Sequence, residues 1–105
     1  MEQAIALQVN DLDNVATIFA EGVKDGSAVT LKDKAGNARP LVVIGDIPYG
    51  HKVAVKDILK GESIRKYGEQ IGAASQDIRQ GEYVHVHNLC SMRGRGDLPE
   101  RREPI

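Results

Sequence analysis

Short strands joined by tight turns, in an all-β domain, are what this sequence predicts. Three observations carry that expectation. Turn-forming clusters recur roughly every ten residues, and no stretch sustains a helical apolar period beyond about two turns. The third is a phrase written three times, Asp-Ile-x-x-Gly-x-x-Val/Ile, at Asp46 to Val53, Asp57 to Ile64 and Asp77 to Val84. In that phrase an Asp carboxylate can accept backbone N–H groups two or three residues on, which starts a turn. The Ile anchors the turn in the core, the Gly supplies the positive φ of a tight reversal, and the β-branched residue begins the next strand.

The elements follow in order. Ile5, Leu7 and Val9 alternate with polar neighbours and read as one face of a strand. Val15 to Phe19 is a second, β-rich run; residues 21–26 are turn chemistry, and Ser27 to Leu31 resumes a strand. A polar, Gly-containing connection over residues 32–37 leads to Leu41 to Ile44. Beyond it, Lys52 to Val55 and Ser63 to Lys66 read as strands, with a short helical turn at Asp57 to Leu59 between them. Tyr67 to Gln70 is a hairpin or corner, and the small residues of Ile71-Gly72-Ala73-Ala74 imply a close backbone approach, for packing or for a ligand. Tyr83 to Leu89 is the last strand. The domain is expected over residues 1–90, with a charged, Gly/Pro-rich tail at 91–105 that is poorly ordered or orders on a partner. Its Arg95-Gly96-Asp97 triplet is not read as an adhesion signal.

Composition bounds the partners. The chain has 105 residues, enough for one domain, and a net charge of −1, so it lacks the basic field that would gather nucleic acid or an anionic membrane. Trp is absent and Phe19 is the single Phe, leaving little aromatic surface for stacking bases. The lone Cys90 allows no intramolecular disulfide, which fits a reducing cytoplasm. No apolar run reaches the length of a signal peptide or a membrane span, and a cytoplasmic location is expected.

The chemistry-bearing residues sit on or just after the repeated turns. His85 and His87, two apart on the expected strand, would project from one face with Val84 and Val86 turned to the core; they form either a metal-binding pair or a solvated edge. His51, after the turn Gly50, is a candidate third ligand. Lys52, and Arg65 and Lys66 beside Tyr67, could hold a carboxylate or simply face solvent. Tyr67-Gly68 could set a phenol at a corner as a hydrogen-bond donor, or merely cover the core. Asn88 could close the strand, and Cys90 could fill a small apolar space.

Taken together, Asp46 to Ala54 (with Gly50-His51-Lys52), Ile64-Arg65-Lys66-Tyr67-Gly68, Ile71 to Ala74 and Gly81 to Asn88 (with His85-Val86-His87-Asn88) resemble the SAF-type N-terminal domain of altronate and galactarate dehydratases. Asp13-Asn14-Val15-Ala16 extends the likeness, which covers roughly residues 12–89. The resemblance implies a β-clip fold and a sugar-acid hydro-lyase, which removes the proton α to a carboxylate and expels the β-hydroxyl. It implies a divalent metal, Fe(II), shared with a large catalytic subunit that this chain lacks. It also implies catalytic roles for His51, Lys52 and Tyr67, substrate contacts from Arg65, Gly68 and Asn88, and metal ligation by His85 and His87. The His-Val-His-Asn pattern points to the altronate-type branch rather than the galactarate type.

Three other readings compete. The small subunit of a (2R)-sulfolactate sulfo-lyase would perform the same proton abstraction and expel sulfite. A non-catalytic SAF module would bind carbohydrate or serve assembly. A purely structural subunit would only stabilise its partner. A homo-oligomer is also left open.

Overall fold

The computed structural model describes residues 4–91, and the expected tail lies outside them except for Ser91. Among the described residues there are nine strands and no helix: β1 (Ile5–Gln8), β2 (Val15–Phe19), β3 (Ala28–Asp33), β4 (Ala38–Val42), β5 (Lys52–Ala54), β6 (Ser63–Lys66), β7 (Glu69–Ala74), β8 (Tyr83–Val84) and β9 (Leu89–Ser91). Six form one sheet in the order β4-β3-β1-β2-β5-β8, and three form a second in the order β6-β7-β9. Only the β1–β3 pair is parallel; every other pairing between these strands is antiparallel. The all-β expectation holds.

Two apolar cores explain the sequence of the central strands. Ala16 and Ile18 of β2 and Val53 of β5 face the first core, with Val29, Leu41 and Ile47. Val15 and Ala54 face the second, with Ile58, Ile64, Ile78 and Val84. Since β2 and β5 are covered on both faces, alternation disappears and Val15-Ala16-Thr17-Ile18 reads as one buried run. At the sheet's edge, β4 tolerates Pro40, which has no N–H to offer a ladder.

The repeated phrase forms a recurrent clip, and it occurs four times, because Gly22-Val23-Lys24-Asp25-Gly26 adopts it too. Each ends in a β-turn closed by an N–H to C=O bond: Ser27 to Lys24, His51 to Pro48, Glu62 to Leu59 and Glu82 to Arg79. Gly26, Gly50, Gly61 and Gly81 hold φ between 83° and 93° at the third turn position, where a side chain would be strained. Each turn then grips one residue of, or next to, a strand at both its N–H and its C=O: Val43 just past β4, Ile18, Ala74 and Ala54 respectively.

The carboxylates do not cap their own turns, as expected from sequence, but cross to a partner turn. Asp57 accepts from the Gln80 N–H and Asp77 from the Lys60 N–H, both at 2.8 Å, while Asp46 accepts from the Asp25 N–H at 2.9 Å. Clips therefore work in pairs. Ile58 and Ile78 exchange both backbone hydrogen bonds at the centre of one pair, and Val23 and Ile47 bridge the other. That pairing also corrects the helical turn expected at Asp57 to Leu59, where Ile58 is extended and fully buried.

Three other expectations change. In β1 the inward residue is Ala6, with Ile5 and Leu7 half-buried on the less covered side. Gly72 serves packing: a Cβ there would lie 2.3 Å from the Cys90 carbonyl oxygen of β9. The strand expected over Tyr83 to Leu89 stops at Val84, and residues 85–88 form a turn before β9.

Candidate functional site

His51 occupies the last position of its β-turn, and its three counterparts show what that position ordinarily does. Ser27, Glu62 and Glu82 each turn a side-chain oxygen back to accept the N–H of their own turn's first residue, Lys24, Leu59 and Arg79. An imidazole at that position looks elsewhere. Its Nδ1 lies 2.6 Å from the Tyr83 hydroxyl, and its ring centroid is 5.0 Å from that of His85. The β5–β8 register accounts for both contacts. Val53 pairs with Tyr83, so His51 is the diagonal neighbour of Tyr83, and one further step sets His85 opposite His51.

The 85–88 turn completes the cluster. Asn88 is fully buried; its Oδ1 accepts the His85 N–H and its Nδ2 donates to the Tyr83 carbonyl, both at 2.9 Å. Its amide closes the turn and ends β8, so both polar atoms of the residue expected to contact substrate are bonded to backbone groups. The turn lays the His85 ring on that of Tyr83, 11° from parallel at 5.5 Å, and brings His87 to its edge at 5.6 Å. His85 and His87 thus gather on Tyr83 through a turn instead of sharing a strand face, and Val86 is 78% exposed at the tip rather than in the core. Burial first, then the nearby charges of His51, Lys52 and His87, hold the His85 imidazole below its ordinary pKa.

Lys52 follows His51 in sequence but leaves the opposite face of the strand. It lines an open groove of about 610 Å³ with Lys66, Tyr67, Glu69, Ile71 and Leu89. Burial, and then the charge of Lys66, lower the pKa of its ammonium group. Among the described residues, neither lysine has a carboxylate within ion-pair distance. Lys66 lies 4.9 Å from the centroid of the Tyr67 ring.

Buried Asp13 fixes the groove's rim. Its carboxylate accepts the N–H groups of Tyr67 and Gly68 at 2.9 and 2.7 Å, holding a two-residue hairpin in which both residues have positive φ, 57° and 79°. Asn14 next to it bonds the Arg65 N–H and the Ser63 carbonyl, tying β6 to the main sheet. So Gly68 meets Asp13, while the backbone of Arg65 meets Asn14 and its side chain is not part of the groove wall.

The site residues named from sequence therefore separate into two groups. His51, His85 and His87 surround Tyr83, while Lys52 and Tyr67 line the groove, and the charge of Lys52 links the two. Sequence reasoning missed Tyr83 and the Asp13 clamp. Comparing the repeated turns would have flagged His51, since the other two copies of the phrase carry Glu there. Nothing local marks Tyr83, which reaches His51 only through strand pairing. No three His, Cys, Asp or Glu side chains among the described residues gather as a metal site, so this chain alone does not fit a complete ion cage.

A small all-β module with a lysine-bearing groove and a neighbouring imidazole–phenol cluster is the class that fold and site define. The chain belongs to the family of altronate/galactarate dehydratase SAF domains, whose family model matches residues 4–92. It is 39% identical to the (2R)-sulfolactate sulfo-lyase subunit alpha of Chromohalobacter salexigens over 86% of this chain and 98% of that protein. It is 38% identical to the altronate dehydratase of Escherichia coli over 78% of this chain but only 15% of that protein. The galactarate dehydratase (L-threo-forming) of the same bacterium is 41% identical over 77% of this chain and 14% of its own length. These relatives are lyases or subunits of lyases, and this chain spans a small part of the two dehydratases. Among the described residues no helix is long and apolar enough to cross a membrane.

Proposed function

We propose that this chain is the small subunit, or a separated N-terminal domain, of a cytoplasmic sugar-acid dehydratase of the altronate/galactarate type, inactive without a large catalytic subunit. The observation that carries the reading is the groove holding Lys52 and Lys66, two cations without carboxylate partners among the described residues. A carboxylate seated there offsets the burial and the Lys66 charge that lower the Lys52 pKa, and it lowers the barrier to removing the α-proton, since negative charge builds on that carboxylate as the proton leaves. Tyr67 donates a hydrogen bond to the same substrate from the groove's rim. His51, with Tyr83 on one ring nitrogen, offers the other to a substrate oxygen as a hydrogen-bond donor. The large subunit supplies the rest of the pocket and most ligands of a divalent ion, expected as Fe(II), with His85 and His87 as this chain's contribution; that ion would stabilise the enolate.

A sulfo-lyase small subunit is the second reading, favoured by the match to nearly the whole length of a sulfo-lyase subunit alpha. Both use the same groove and differ in the leaving group. Reconstituting the chain with a large-subunit partner and offering altronate, galactarate and sulfolactate separates them. Turnover of either sugar acid, lost with Lys52→Ala, supports the dehydratase, and turnover of sulfolactate alone overturns it.

A further inference from the structure

Tyr83 has no part in the groove, and its hydroxyl makes one hydrogen bond, 2.6 Å long, to His51 Nδ1. Two features hold its ring in place. Its backbone carbonyl is bonded by buried Asn88, and its face is covered by the His85 ring. His51 is equally constrained at its backbone, where its N–H donates to Pro48 and its C=O accepts from Ile18. Nε2 is left, at a half-buried position and without a hydrogen bond among the described residues.

We propose that Tyr83 is a positioning residue that locks His51 in the Nε2–H tautomer, making His51 a hydrogen-bond donor to the substrate rather than a metal ligand or a base. The inference deepens the dehydratase reading and rests on it only for the identity of the substrate oxygen. The chemistry is that of the pair. A phenol O–H is a good donor and has one hydrogen, and the sp² nitrogen of a neutral imidazole is a good acceptor. When Tyr83 donates to Nδ1, the ring's hydrogen must sit on Nε2. A metal ligand or a base would need a bare Nε2, with Nδ1–H donating to the phenol oxygen, the weaker of the two arrangements. A neutral imidazole N–H aimed at a substrate oxygen stabilises negative charge as it develops and leaves no extra cation beside Lys52.

The test uses the full chain with ¹⁵N-labelled histidine, recorded at about pH 8, where an ordinary imidazole is neutral. Long-range ¹H–¹⁵N correlation reads which ring nitrogen carries hydrogen. Wild type should show His51 as Nε2–H, and Tyr83→Phe, which keeps the ring stack, should release it into a mixture of tautomers. An Nδ1–H majority in wild type, or identical populations in the two proteins, overturns the lock. If Tyr83→Phe does not fold, the wild-type spectrum alone decides. In the reconstituted enzyme Tyr83→Phe should lower kcat about tenfold with KM within about twofold, and unchanged kcat removes Tyr83 from the reaction. If wild type turns over no acid with any large subunit, the dehydratase reading fails, while the spectrum still judges the lock.

Discussion

Of the four clips, three complete themselves and one does not. Ser27, Glu62 and Glu82 use their side chains to brace the turn they end, whereas the turn of His51 begins at Pro48, which has no N–H to brace, and the imidazole meets Tyr83 instead. The backbone is alike in all four: the same N–H to C=O closure, the same positive-φ glycine, the same grip on one residue of, or next to, a strand. A reactive side chain therefore sits at a position whose usual task is small and dispensable. The fold loses one exposed brace and gains a cluster fixed by strand pairing.

Changes common to all clips should be the most damaging. Gly81→Ala must escape the Val42 carbonyl oxygen, 2.2 Å from the new Cβ, besides adopting positive φ, while Gly50→Ala meets open space. In urea denaturation Gly50→Ala should cost about 1–2 kcal/mol, and Gly81→Ala should cost clearly more or prevent folding. Equal losses would mean that the clips are not tied to the sheet differently. Ile58→Ala, which empties the centre of one clip pair, should cost roughly 2–5 kcal/mol.

Asp13→Asn comes next. The amide retains one acceptor and turns an N–H₂ toward a backbone donor, so a loss of about 1.5–3 kcal/mol is expected. Hydrogen exchange should speed first at Tyr67 and Gly68. Uniform acceleration across the chain would show that Asp13 supports the whole fold instead of the groove's rim.

His51→Glu tests the contrast most directly. This turn begins at Pro48, which has no N–H, so the new carboxylate cannot make the brace that Glu62 and Glu82 make. Stability should therefore move by less than about 1 kcal/mol, while turnover in the reconstituted enzyme falls by about two orders of magnitude or more. Retained turnover would return His51 to the structural clips.

The smallest effect is in pH dependence. His85 is held below its ordinary pKa of 6.5, so on acidification the unfolded chain binds a proton before the folded one does. Stability from this group should be constant above about pH 6.5 and decline below it, until the lowered folded pKa is passed. His85→Phe should flatten that limb of a melting-temperature profile, and an unchanged limb would assign it to other groups.

Much of the fold was legible in the chain because its signals are local. Strand-forming runs, the positive-φ glycines and the buried Ile anchors at 47, 58 and 78 depend on neighbours a few residues away. The misreadings all concern what lies across space. Ala6 rather than Ile5 faces the core because of which strands flank β1, and β8 stops at Val84 because buried Asn88 bonds the His85 N–H and the Tyr83 carbonyl. The site divides along the same line. His51, Lys52, Tyr67, His85 and His87 were visible as reactive residue types on or near turns, but the phenol between the histidines was not. Residue order settled which turns form and which side chains anchor them, since those choices rest on φ preferences and burial along a few residues. Three-dimensional pairing alone decided that Asp57 and Asp77 serve each other's turns and that Tyr83 meets His51, because antiparallel register joins residues that no local pattern relates.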